Sequence, residues 1–177
     1  MIQSVAHLIG QSMQVVNGII IRGKHMNYTT INEFDNFIFS EVHVSDVKYS
    51  GGVFTIVLDD VKILSENSKN RDIRTMRTNG LVLKLQNAEI ISLVKEGYKT
   101  YDADGNLMRE DEDVAIEEAD YTETMNYFLD GYAFVIEKSS DNEYIFVIDG
   151  TDEHTYNVVV TADGDSEEWD RFMNSEE

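Results

Sequence analysis

Asn36-Phe-Ile-Phe-Ser-Glu-Val-His-Val-Ser-Asp-Val-Lys-Tyr49, then Ser50-Gly51-Gly52, then Val53-Phe-Thr-Ile-Val-Leu-Asp-Asp-Val-Lys-Ile-Leu64 is the stretch that decides the fold class. Both arms are rich in β-branched and aromatic residues. In the second arm Phe54, Ile56 and Leu58 alternate with Thr55 and Val57, which makes one face strongly apolar. Glycine reaches positive φ without steric cost, so a Gly-Gly pair between two such runs signals a hairpin. Asp59-Asp60 interrupts the alternation before Val61 and Ile63, and this predicts a bulge or a bend.

Outward from the hairpin the same theme recurs. Leu81–Val94 reads as a further strand, with Leu81, Leu83 and Leu85 on one face and a register shift near Asn87. Asp104-Gly105 is a strong tight-turn dipeptide. Tyr132–Glu137, Glu143–Asp149 and His154–Thr161 are separated by short turns and predict an antiparallel meander. Two stretches read as helix. Thr122–Gly131 offers Thr122 or Thr124 as N-cap, an apolar face of Met125, Phe128 and Leu129, and Gly131 for the left-handed position after the last turn. Ser166–Met173 offers Ser166 as cap and Trp169, Phe172 and Met173 at helical spacing. Thr29-Thr30 with Glu33 suggests a capped turn before the hairpin. The expected fold is a β-dominated α+β domain of about seven mainly antiparallel strands. It would be a sandwich or a partly open barrel with two short helices.

Composition narrows the function. The chain has 177 residues, 42% of them hydrophobic, enough for a substantial core. It contains no cysteine, which removes disulfides and thiolate sites and fits a reducing cytoplasm. Asp and Glu number 34 against 14 Lys and Arg, a net charge of −20. A field of that sign repels nucleic acid and anionic lipid and steers basic proteins inward.

Residues 27–177 read as one acidic domain, with residues 1–26 as an N-terminal extension that contains no Asp or Glu. Its run Val15–Ile21 is interrupted by Asn17-Gly18 and is too short to span a membrane, and its cations Arg22 and Lys24 follow the run rather than precede it as in a signal peptide. Three readings remain for it. They are an amphipathic helix over Val5, Leu8, Ile9, Met13 and Val16, an edge strand at Gly18–Arg22, or sequence foreign to the domain, with Gly23-Lys-His-Met26 as a junction.

Residues 110–123 are the most biased stretch. Glu110, Asp111, Glu112, Asp113, Glu117, Glu118 and Asp120 are the candidate partner-binding residues, with Glu123 beyond them and no cation between. Charges this dense repel one another, so the segment stays exposed or meets a cationic surface. The plain alternative is a solvated surface loop. Residues 65–80 carry Lys69, Arg71, Arg74 and Arg77, and read as a solvated loop whose cations pair with nearby carboxylates, with an anion-reading loop as the alternative. Asp102, Asp104 and Asn106 alternate like the first ligands of a calcium loop, yet Gly105 falls at the fourth position instead of the sixth. The histidines His7, His25, His43 and His154 lie scattered, and there is no nucleophile elbow, phosphate loop or dinucleotide fingerprint. The expectation is therefore no catalytic residue, no metal and no cofactor.

The run Phe34–Tyr49 continuing into Val53–Leu58 resembles a recurring opening of small bacterial cytosolic β-rich proteins, among them immunity proteins of polymorphic toxin systems. This chain has Ser40-Glu41 where such openings often carry His-Asp. The resemblance spans residues 34–64 and implies a non-enzymatic protein that binds and blocks a basic toxin. The alternatives are a small-ligand or calcium-binding β module, or an accessory domain without activity of its own.

Overall fold

The computed structural model describes residues 26–140 and 142–175, together with the backbone of two strands further upstream, β1 (Met13–Val16) and β2 (Ile19–Arg22). β1 and β2 pair antiparallel as a hairpin, so the strand reading at 18–22 holds for Ile19–Arg22. Of the alternative helix, Met13 and Val16 lie in β1, and Val5, Leu8 and Ile9 lie outside the described residues.

Between Tyr28 and Asn174 sixteen strand segments follow. The first are β3 (Tyr28–Ile31), β4 (Phe37–Ile38), β5 (Val42–Ser50), β6 (Val53–Asp59) and β7 (Val61–Ile63). The middle of the chain gives β8 (Met76–Thr78), β9 (Leu81–Gln86), β10 (Glu89–Lys95), β11 (Lys99–Tyr101), β12 (Leu107–Glu110) and β13 (Val114–Ala115). The last are β14 (Tyr132–Ser140), β15 (Glu143–Asp149), β16 (Thr155–Thr161), β17 (Gly164–Trp169) and β18 (Met173–Asn174). The only α-helix among the described residues, α1 (Tyr121–Met125), runs into a 3-10 turn at Asn126–Phe128.

The deciding hairpin forms as read. Gly51 and Gly52 have φ of 61° and 71°, and the register runs from Ser50↔Val53 to His43↔Asp59. The bend foreseen at Asp59-Asp60 is also present. Asp60 adopts φ 64°, and the chain leaves the large sheet for a smaller one of order β18-β8-β7-β4.

The large sheet has ten antiparallel strands in the order β13-β10-β16-β15-β14-β5-β6-β9-β17-β3. Its middle joint is thin, because β14 and β5 share only Tyr132↔His43 and Ala133↔Val42 as paired residues. The two five-stranded halves face one another across a single core. The Phe54 ring of β6 stands 5.0 Å from Phe146 of β15, and Tyr144 of β15 reaches Asp165 of β17. The ends β3 and β13 do not pair, so the barrel is not closed. Met125 and Phe128 enter the core from α1 and its 3-10 turn, which pack against β5. None of the described helices is long and apolar enough to cross a membrane.

Several expectations need correction. The strands are far more numerous than seven, because short turns at Gly51-Gly52, Asn87 and Asp104-Gly105 cut the chain finely and residues 61–63 and 76–78 build part of a second sheet. Leu81–Val94 is two strands. Asn87 turns at φ 49°, β9 stays between β6 and β17, and β10 crosses to the other half beside β16. The stretch Ser166–Met173 is no helix. β17 takes its first half, Ser166–Trp169, and Met173 begins β18; along β17 Asp165, Glu167 and Trp169 are buried on one face. In the helix at 121–128 neither Thr122 nor Thr124 caps, and the left-handed residue is Asp130, φ 61°. Gly131 serves close approach instead, since a Cβ there would stand 2.3 Å from the Asp149 carbonyl oxygen. Thr30 lies in β3 with its side chain inward, not in a capped turn.

Candidate partner-binding surface

β10 delivers the chain to Gly97, where a Cβ would stand 1.9 Å from the Asp111 carbonyl oxygen. Only glycine lets the acidic segment lie this close to the sheet. The segment is then tied down by Asp111 N–H to the Tyr98 carbonyl (2.9 Å), Gly97 N–H to Asp113 Oδ1 (2.8 Å) and Ile116 N–H to the Leu93 carbonyl (2.9 Å). Within it β13 pairs Val114 and Ala115 with Lys95 and Val94, which makes this short strand the edge of the large sheet and holds the acidic residues on either side of it along that edge.

Ahead of this edge stands the hairpin β11–β12, a two-stranded sheet of its own. Its turn closes through Asp102, whose Oδ1 accepts from the backbone N–H of Asp104 (2.9 Å) and Asn106 (2.8 Å), while its Oδ2 accepts from Asn106 Nδ2 (2.9 Å). Hydrogen bonding from Asn106 is the chief cause that holds this carboxyl below its usual range. The alternation that resembles a calcium loop is thus a self-bonded turn, and among the described residues no group of three His, Asp or Glu side chains is placed to hold a metal. No third strand covers the ribbon. Tyr101, Leu107 and Met108 are 59%, 50% and 70% exposed.

The candidate acidic residues fall into two sets. Glu110 pairs with Lys99 at 2.6 Å and Asp111 with Arg109 at 2.9 Å, so these charges are partly neutralised. Arg109 also lies over the Tyr98 ring at 5.1 Å, and a hydrogen bond to Asp111 is the chief cause that raises the Tyr98 hydroxyl. Asp113 accepts the Gly97 N–H. Glu112, Glu117, Glu118 and Asp120 are exposed, and their side chains make no hydrogen bond or ion pair with a described residue. The sequence pointed to the carboxylates but not to the apolar ribbon beside them. Its signal was Tyr101, Leu107 and Met108 flanking a tight turn.

A second titratable cluster lies inside the fold, and sequence reasoning missed it. Asp165 and Glu167 occupy successive inward positions of β17 and are 2% and 0% exposed. Asp165 accepts from the Tyr144 hydroxyl at 2.6 Å, the Phe34 N–H at 3.2 Å and Lys138 Nζ at 3.3 Å. Glu167 Oε2 accepts from the Thr30 hydroxyl at 2.6 Å, and no side chain donates to Oε1, which leaves the carboxyl to donate its own proton toward Asp165. Burial and then Asp165 push the Glu167 carboxyl up to about 8. The core seals this pair from solvent. His43 stands between Asp59 (3.6 Å) and Asp130 (3.7 Å), and His154 lies 3.2 Å from Asp152.

No protein-family model, curated protein or solved structure matches this chain.

Proposed function

We propose that this chain is a non-enzymatic acidic binding protein that docks a basic protein on the β11–β12 ribbon and the 110–120 edge. Its most concrete form is a cytoplasmic immunity protein covering the cationic face of a toxin. One observation carries the reading. Exposed apolar side chains, Tyr101, Leu107 and Met108, lie on the ribbon that leads directly into the acidic segment, where the exposed Glu112, Glu117, Glu118 and Asp120 make no hydrogen bond or ion pair with a described residue. Protein interfaces combine an apolar centre with a polar rim, and uncovered apolar side chains on a ribbon need a reason to be there. The net charge of −20 sets the sign of the partner.

The test uses the full chain as bait in lysate of the source organism, at low and then moderate salt, followed by kinetics on the recovered basic protein. Reversing Glu112, Glu117, Glu118 and Asp120 to lysine should slow association about tenfold or more at low salt and flatten its salt dependence. Replacing Leu107 and Met108 with alanine should act mainly on dissociation. An unchanged on-rate in the charge-reversed protein would remove the acidic edge from the interface. Recovery of no basic protein would leave the charge as a solubility device.

A further inference from the structure

The four cations of residues 69–77 divide into two pairs with different surroundings. Arg74 Nη2 meets Asp72 Oδ2 at 3.1 Å, and Arg77 Nη1 meets Asp60 Oδ1 at 2.8 Å. Lys69 and Arg71 form no ion pair within 4.0 Å of a described carboxylate, and both line a cleft of about 590 Å³. Lys69 is still close enough to act on Glu33: burial raises that carboxyl, but hydrogen bonds from Ser68 and Asn36, helped by Lys69, hold it below its usual range. The apolar part of the lining comes from Tyr28, Met76 and Phe172. Asp72, Ser68 and Asn70 complete the lining. The Asp72 carboxylate is already committed. It accepts from the Arg74 side chain and backbone, and hydrogen bonding from Arg74 is the chief cause that holds it below its usual range.

Both parts of the lining are built before any ligand arrives. Asn70 Nδ2 donates to the carbonyls of Ile63 (3.3 Å), Leu64 (3.0 Å) and Arg74 (3.1 Å), and Asn70 Oδ1 accepts from the Asp72 N–H at 2.9 Å. Asn67 Oδ1 accepts from the Lys69 N–H at 3.0 Å, and Glu33 Oε2 accepts from the Ser68 N–H at 2.9 Å. In the apolar part Tyr28 stacks on the buried Trp169 at 5.5 Å and meets the Phe172 edge at 4.8 Å. A braced loop and a fixed aromatic wall cut the ordering cost of binding. In a chain with 34 acids and 14 bases, a cleft lined by two cations outside any close ion pair runs against the overall field.

We infer that this cleft is a binding site for a small anionic molecule carrying an aromatic or flat apolar group. Lys69 and Arg71 would hold the phosphate or carboxylate, and Tyr28, Met76 and Phe172 the ring. The inference is independent of the acidic edge on β13.

Trp169 is the chain's only tryptophan and lies behind the aromatic wall, so its fluorescence reports occupancy. The probes are phenyl phosphate, phenylacetate and inorganic phosphate, titrated into the full chain up to about 10 mM, with Kd also measured by calorimetry. Saturable binding of phenyl phosphate or phenylacetate is expected, and the tighter of the two names the anion. Lys69→Ala with Arg71→Ala should weaken it about tenfold or more, while Lys48→Ala, at an exposed position of β5, should leave it unchanged. Both replaced side chains are exposed, so the variant should keep its melting temperature. No saturable binding of either ring probe, or equal binding by the double variant, overturns the site. Inorganic phosphate binding as tightly as phenyl phosphate overturns the role of the aromatic wall.

Discussion

Glu167 is a carboxyl with no route to water and a carboxylate for a neighbour. Burial pushes both Asp165 and Glu167 up. For Asp165 this is outweighed by hydrogen bonds from Glu167 and Tyr144 and by Lys138, so it stays below its usual range. Glu167 has only Thr30 as donor and is pushed up to about 8, so it keeps the proton of the pair. The unfolded chain releases that proton near pH 4.5. Its stabilisation is therefore complete below that pH and is lost as pH rises through about 8. The loss should come to about 2–4 kcal/mol between pH 5 and 8. Glu167→Gln, which mimics the neutral acid, should match the wild type to within about 1 kcal/mol at pH 5 and exceed it at pH 8. Urea midpoints at the two pH values check this, and a variant that declines in parallel with the wild type would place the proton elsewhere. The same residue explains why β17 was illegible. Asp165, Glu167 and Trp169 alternate inward, but two of the three are carboxylates, so an apolar pattern of period two does not register. Trp169, Phe172 and Met173 meanwhile satisfy helical spacing by accident.

At the scale of elements, the segments that could be read were those whose partner is the next segment in sequence. The Gly51-Gly52 hairpin, the Asp104-Gly105 turn and the β14-β15-β16 meander are of this kind. The apolar face of 81–85 was legible too, but the separation of β9 and β10 onto opposite halves was not. Alternation tells which way a side chain points and says nothing of which strand lies alongside. The acidic edge was visible as composition. The ribbon beside it was not, because exposure of Tyr101, Leu107 and Met108 depends on the lack of a third strand. The short helix was found from its apolar face, and that face has a definite task. Where β5 and β14 part after two residue pairs, α1 and its 3-10 turn pack against β5, and Phe128 is fully buried with its ring 5.1 Å from Tyr156. Phe128→Ala should cost about 3–5 kcal/mol. Phe134→Ala, on β14 but 43% exposed, should cost about 1 kcal/mol or less. Denaturant titration of the two variants separates them. Equal costs would mean that the helix is an ornament on the sheet and not part of the core.

At the scale of the molecule, 34 acidic residues stand against 14 basic ones, and no disulfide ties the chain together. Apart from Lys138–Asp165, the ion pairs among described residues join partly exposed side chains, each worth about 0–1 kcal/mol. Local pairing therefore cannot offset the repulsion of a net −20, and the folded state bears a long-range electrostatic penalty. Salt should relieve it. The Debye length shrinks from about 30 Å at 0.01 M to about 10 Å at 0.1 M, which screens repulsion across the molecule before it weakens close pairs. The melting temperature at pH 7.5 should rise with NaCl over this range, by about 3 °C for each kcal/mol relieved. The field that destabilises the free chain is the one proposed to draw in a basic partner, so the same titration should slow association while it raises the melting point. Both trends should flatten together when Glu112, Glu117, Glu118 and Asp120 are reversed, since that change replaces four negative charges with four positive ones and brings the net charge from −20 to −12. A melting temperature that falls with salt would show that attractive pairs, and not repulsion, dominate this surface, and would remove the electrostatic reason for expecting a cationic partner.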